Sequence, residues 1–337
     1  MITRAFHGWE RRLAAAAENR VVRPFEWGLE WLEDFTAPAS DVTIAALEAW
    51  AARAVTESER FFAIDPCDDY ALDGDLLTFP SAIATPHPEN NTVRARFFPD
   101  PSPRGRRRAV LVLPQWNADP RGHVGLCRLL NRFGITALRL SLPYHDARMP
   151  PELQRADYIV SSNVGRTAQV CRQAVLDARR AIAWLSQQGY ESIGILGTSL
   201  GSCLSMLTTA HEPLIRAAAL NHVSVYFADV VWEGLSTAHV REGLNGHIDL
   251  ERLRQVWMPI SPYPYVPRVR GKQILLVYAR YDLTFPVTLS KKLIAEFDRH
   301  GVGYELTVLP CGHYSSGLTP FKWMDGLTLC RFLSKNL

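Results

Sequence analysis

The chain has 337 residues, 47% of them hydrophobic and 21% charged, with a net charge of +3 at neutral pH. That size and balance suit one large α/β domain with an appendage or two ordinary domains, able to bury a core without disulfides or structural metals. So small a net charge singles out neither nucleic acid nor an anionic membrane as a partner.

At the N-terminus Arg4, Glu10, Arg11 and Arg12 interrupt any leader-like apolar run. No later stretch reaches the roughly 18 apolar residues of a membrane span. Six cysteines are scattered without a Cys-x-x-Cys pair, which fits free thiols in a reducing compartment. The chain is therefore expected to be cytoplasmic, with no membrane span.

Residues 1–74 read as a helical extension. Trp9, Leu13 and Ala16 recur at helical spacing, as do Leu47, Trp50 and Ala54 in the segment after Ser40 and Asp41, and Pro24 and Pro38 mark the breaks. No catalytic pattern falls here. The extension is expected to pack on the main domain, with a share in the substrate entrance or in an oligomer contact as the alternative.

From residue 75 short apolar runs alternate with amphipathic stretches. Strands are predicted at 75–84, 91–98, 108–114, 135–141, 192–196, 217–224, 273–278 and 304–309. The first two, joined through Pro88-Glu89-Asn90-Asn91, predict an antiparallel hairpin. The later ones alternate with helices predicted at 124–133, 165–188, 200–211 and 287–300. Such alternation implies a mainly parallel sheet covered by helices on both faces. The basic run Arg104-Gly105-Arg106-Arg107-Arg108 is read as a solvated turn.

Two long segments interrupt the alternation. Residues 142–164 open with Leu142-Pro143-Tyr144-His145-Asp146-Ala147-Arg148 at the carboxyl end of a strand, the edge where such sheets bind ligands. Loop packing and local ion pairing form the preferred reading of this loop, with Tyr144 and Arg148 as candidate substrate contacts the alternative. Residues 226–267 are predicted to form a small lid. Its aromatic residues Tyr226, Phe227, Trp232, Trp257, Tyr263 and Tyr265, together with Trp116, suggest an apolar acyl or aryl group, and Trp232 joins the candidate contacts.

The chemistry concentrates after the strand at 192–196. An apolar strand leads into Gly197-Thr198-Ser199-Leu200-Gly201 and then an apolar helix. A sharp strand-to-helix turn of this kind projects the serine in a strained backbone, and glycines two residues to either side avoid a steric clash. The following helix aims N–H groups and its positive end at a developing oxyanion.

These residues resemble the α/β-hydrolase superfamily, and the likeness spans residues 75–337, roughly four-fifths of the chain. It implies an eight-stranded, mostly parallel sheet with helices on both faces, here with an N-terminal helical extension and a lid. It also implies a nucleophile, an acid and a histidine in that chain order. Ser199 would be the nucleophile, and His313, in the loop after the last predicted strand, its general base. Asp282, after a late apolar strand, would be the acid; Asp229 is the competitor, otherwise read as a helix cap. The oxyanion would meet the backbone N–H of Leu200 and, from the atypical loop Pro114-Gln115-Trp116-Asn117, that of Trp116, with side-chain help from Gln115 or Asn117. The 142–148 loop is also similar to a Pro-Tyr-Tyr-Gly-type loop of abhydrolase-domain proteins.

His123, His145 and His222 are read as structural or substrate-adjacent, Cys203 and Cys311 as packing residues. His145, Asp146 and His123 lack metal-ligand spacing, and neither metal nor cofactor is expected. The expected function is a serine hydrolase acting on a small-molecule ester or acyl substrate through an acyl-enzyme. The alternatives are a peptidase resembling prolyl oligopeptidases, a C–C bond hydrolase, or a non-catalytic binding protein on the same fold.

Overall fold

The computed structural model describes residues 2–16, 19–32, 44–102 and 105–337. Pro38, Ser40, Asp41 and Arg104, which entered the sequence reading, lie outside the described residues. The sheet opens with a tight hairpin of β1 (Ala71–Asp73) and β2 (Leu76–Pro80) across Gly74, whose φ is +59°. There follow β3 (Thr92–Phe98), β4 (Arg108–Leu113), β5 (Thr136–Leu140), β6 (Ser192–Thr198), β7 (Ile215–Asn221), β8 (Gln273–Ala279) and β9 (Glu305–Leu309). The order across the sheet is β1-β2-β3-β5-β4-β6-β7-β8-β9. Pairing is antiparallel from β1 to β5 and parallel from there to β9. All eight expected strands are present. The ninth, β1, has three residues and is exposed along its length, so no apolar alternation announces it.

The helices are α1 (Ile2–Ala15), α2 (Ile44–Thr56), α3 (Ser58–Phe61), α4 (Val124–Arg132), α5 (Val164–Gln187) and α6 (Leu200–His211), then α7 (Phe227–Glu233), α8 (Ala238–Leu244), α9 (Leu250–Val256), α10 (Val287–Arg299) and α11 (Phe321–Asn336). Alternate residues of the central strands feed two cores. Ala109, Leu111 and Leu113 of β4 pack with α5, α6 and α10, whereas Val110 and Val112 pack with α4 and α11. This period-two division is what a sheet covered on both faces requires. None of the described helices is long and apolar enough to cross a membrane.

The basic run has a structural task. Arg107 donates to the Gln188 carbonyl, and Arg108 donates to the carbonyls of Phe133 (2.8 Å), Gly134 (3.2 Å) and Ser334 (3.2 Å). Guanidinium groups thus satisfy orphan carbonyls at the C-terminal ends of α4, α5 and α11, where the helix dipoles favour positive charge.

Residues 226–267 form an insertion between β7 and β8 that contains α7, α8 and α9 and packs on α2 and α5. Its aromatic residues serve that packing. Trp257 and Tyr265 are fully buried, Phe227 meets Trp257 edge-on, Tyr226 stacks on Tyr263, and Trp257 Nε1 donates to the Val164 carbonyl at 3.0 Å.

Candidate active site

β6 passes into α6 through Ser199, whose φ of +57° and ψ of −121° fall where residues with a Cβ are rarely found. Its N–H donates to the Asn221 carbonyl on β7 at 2.8 Å, which helps hold the strained turn. The two glycines are required by close approach. A Cβ on Gly197 would lie 2.2 Å from the Gly201 carbonyl oxygen, and one on Gly201 would lie 2.2 Å from the oxygen of Leu113. The turn therefore closes only on a backbone without side chains at both positions.

His313 follows β9, and its Nδ1 lies 3.0 Å from Asp282 Oδ2. The other carboxylate oxygen of Asp282 accepts the backbone N–H groups of Thr284 and Phe285, both at 2.7 Å. Burial opposes ionisation of Asp282, but His313 and His222 outweigh it and hold the carboxyl well below the usual carboxylate range. His222, at the end of β7, is a second imidazole on this carboxylate and, unlike His313, is fully buried. Its Nδ1 lies 3.0 Å from Asp282 Oδ2 without hydrogen-bond alignment, and its ring centre is 4.7 Å from that of His313. Burial disfavours charge on His222, yet Asp282, Asp325 and Glu10 raise its proton affinity above the ordinary histidine value. Donor atoms of His222, Asp282 and His313 all lie within 4.8 Å of one another, so this trio has the donor set to hold a metal ion.

The N-terminal extension reaches this site. Glu10 on α1 is fully buried, and its two carboxylate oxygens accept the backbone N–H groups of Tyr314 (2.8 Å) and Ser315 (3.0 Å), directly after His313. Gly312 makes room for it, since a Cβ there would lie 2.2 Å from Glu10 Cδ. One turn away, Phe6 stacks on Tyr281, next to Asp282, with ring centres 4.3 Å apart and planes 11° apart. α1 thus braces both the loop that carries Asp282 and the loop that carries His313. Glu10 escaped the sequence reading because it sits beside Arg11 and Arg12 and looks like part of a solvated face.

The loop after β4 lies against Gly201. Trp116 is held by Nε1 donating to the Ala156 carbonyl at 2.9 Å and stacks on His239, with ring centres 5.7 Å apart. Asn117 has φ +58°; its N–H donates to His145 Nε2 at 2.9 Å, and its Oδ1 accepts the Ala156 N–H at 2.8 Å. The Asn117 side chain thus braces the loop through its Oδ1, and Asn117 itself lines the cavity that opens onto Ser199. His145 is buried and acts as an acceptor; burial lowers its proton affinity to about 4.

A cavity of about 640 Å³ opens onto Ser199 and His313, with Gln115, Trp116, His123 and His222 also in its wall. Three candidate substrate contacts are corrected. Tyr144 is fully buried, its hydroxyl 3.1 Å from His87 Nδ1 and its N–H donating to Asn90. Arg148 is fully buried in an ion pair with Asp177 at 2.8 Å and donates to the Asn90 and Ser141 carbonyls. Trp232 packs under Arg241, outside the cavity wall. From the insertion it is Ser236 that lines the cavity, whose apolar side comes instead from Leu126 and Leu129 of α4 and from Trp323 and Leu329 of α11. Asp229 is not a helix cap: α7 starts at Phe227, and the buried Asp229 carboxylate pairs with Arg254 (2.5 Å) and Lys292 (3.2 Å). Cys203 and Cys311 are buried packing residues whose thiols burial pushes up, to about 11 and about 12.

No protein-family model and no curated protein sequence matches the chain. Solved structures do match in fold. Acetyl xylan esterase 1 from Thermoanaerobacterium sp. is similar with a TM-score of 0.60 at 13% identity, over 90% of this chain and 97% of that one. An acetyl xylan esterase from a Paenibacillus species reaches 0.63 at 14% identity, over 94% of this chain and 100% of that one. The acylaminoacyl peptidase of Pyrococcus horikoshii reaches 0.61 at 13% identity, over 81% of this chain and 42% of that longer chain. At these identities the likeness is one of architecture.

Proposed function

We propose that this chain, which has the α/β-hydrolase fold, is a serine hydrolase that cleaves a carboxylic ester through an acyl-enzyme. The observation that carries the reading is a strained Ser199 opening onto the same cavity as His313, while His313 Nδ1 sits 3.0 Å from the buried Asp282 carboxylate. With Nδ1 hydrogen-bonded to a carboxylate, the Nε2 of His313 is left as the basic nitrogen that accepts the Ser199 proton as its Oγ attacks the carbonyl. Asp282 orients the ring and stabilises the imidazolium. The amides of Leu200 and Trp116 take the oxyanion of the tetrahedral intermediate. His313 then delivers its proton to the leaving alcohol, and the same sequence with water as nucleophile frees the acid and restores Ser199. The esterases among the structural neighbours support an ester carbonyl as target at the level of fold.

The test is covalent labelling. A fluorophosphonate probe is expected to label the wild-type chain and to fail on Ser199→Ala. Equal labelling of the two proteins would remove Ser199 from its role.

A further inference from the structure

The cavity above Ser199 is chemically two-sided. One side is apolar, built from Leu126, Leu129, Leu329 and Trp323. The other carries Arg20 and Arg155, contributed by the chain after α1 and by the long loop before α5. Arg155 is held firmly: Nη1 donates to Asn19 Oδ1 at 3.0 Å, Nε lies 3.4 Å from Asp157 Oδ1, and the guanidinium sits 5.1 Å from the centre of the Trp116 ring. Asp157 is shared, because its other oxygen pairs with Arg23 at 3.0 Å. Arg20 donates to the Tyr314 hydroxyl at 2.8 Å, its Nε is buried without a partner, and no carboxylate among the described residues pairs with it. Of the two arginines in the cavity wall, Arg155 thus shares its carboxylate with Arg23, which lies outside the wall, and Arg20 has none among the described residues. The carboxylate in the cavity wall, Asp325, is engaged elsewhere, accepting from Asn221 Nδ2 at 2.7 Å beside His222.

We propose that the ester taken by this site carries an anionic group, a carboxylate remote from the scissile bond, that pairs with Arg20 and Arg155. The inference rests on the hydrolase reading for the ester and on these guanidinium groups for the anion. An arginine braced by neighbours and facing a desolvated wall presents a fixed fork to a carboxylate, and such charge-assisted bonds are stronger than neutral ones.

Two matched pairs test it. The carboxylate stands on the acyl side in mono-p-nitrophenyl glutarate, with p-nitrophenyl valerate as neutral control. It stands on the leaving group in 4-acetoxybenzoate, with 4-acetoxybenzamide as control. In at least one pair kcat/KM is expected to favour the anion by about tenfold at low salt, the order of one charge-assisted hydrogen bond. Arg20→Gln and Arg155→Gln should bring that ratio towards one, Arg20→Lys should keep most of it, and added salt should lower it. A ratio of one or less in both pairs, or one that neither glutamine variant moves, overturns the proposal while leaving Ser199 untouched. If no ester is cleaved, the hydrolase reading falls instead. Calorimetric binding of the same four compounds to Ser199→Ala then decides the anion site, with tighter anions supporting it and equal or weaker ones overturning it.

Discussion

Replacing Glu10 by alanine should disable the site from a helix that carries none of the proposed catalytic groups. The carboxylate is fully buried and accepts two backbone N–H groups, at 2.8 and 3.0 Å, from the residues that follow His313. Its loss removes two charge-assisted hydrogen bonds and strands two donors, at about 1–3 kcal/mol each, so destabilisation of about 3–5 kcal/mol is expected. Part of that strain is relieved by movement of the loop. A displacement of about 1 Å at His313 is enough to lower kcat by about a hundredfold. Glu10→Gln keeps one acceptor and should lie between alanine and wild type. The assay is kcat and KM on a p-nitrophenyl ester, at a temperature where circular dichroism shows both variants folded. A positioning role predicts a fall in kcat with little change in KM, whereas a purely structural role predicts wild-type kcat in the folded fraction. Wild-type kcat in folded Glu10→Ala would refute the reasoning. Gly312→Ala should reproduce the defect, because its Cβ would lie 2.2 Å from Glu10 Cδ.

Asp282→Asn should lower kcat by about three to four orders of magnitude by breaking the link to His313 Nδ1. Asp229→Asn should instead cost stability through Arg254 and Lys292, and a large kcat loss in Asp229→Asn alone would transfer the acid role. Gly201→Ala forces a Cβ to within 2.2 Å of the Leu113 carbonyl and 2.5 Å of that of Pro114, which should push the Trp116 amide out of register. A kcat loss of about 10²–10³-fold is expected, as for removal of one oxyanion donor, and a near-normal rate would exclude that geometry. Acid should weaken the fold early. Burial lowers His145, His211 and His239 to about 4 in the folded chain, against about 6.5 when unfolded. Between those values the unfolded chain binds more protons, so the stability these groups supply is present above about 6.5 and lost as pH falls towards 4. Urea midpoints at pH 7 and pH 4.5 measure this, and equal midpoints would contradict it.

The parts of the site that were legible in the sequence are those whose physics is local. The strained turn at Ser199 needs an apolar strand before it, a helix after it and glycines two residues away, all within ten residues. The strands announce themselves by apolar runs, and β1 went unseen because it is short and exposed. Asp282 and His313 became candidates through the resemblance, which places an acid and a histidine after late strands. For Tyr144 and Arg148 the structure upholds loop packing and ion pairing over substrate contact, a choice the sequence left open because a polar loop at a carboxyl edge looks the same whether it faces a ligand or the buried Asp177. The aromatic insertion misled for a related reason, since an apolar side chain in a loop does not declare which surface it covers.

The sequence by itself determined the strand-helix alternation and the turn that carries Ser199, and the resemblance those residues carry put forward Asp282 and His313. Only the tertiary structure decided that Glu10, some 300 residues away in sequence, holds the loop after His313, that Arg20 faces the cavity, and that α4 and α11 supply its apolar side. Local steric demands and hydrophobic period are written residue by residue. Which distant groups meet depends on how the two faces of the sheet are covered, and that is settled only when the whole chain packs.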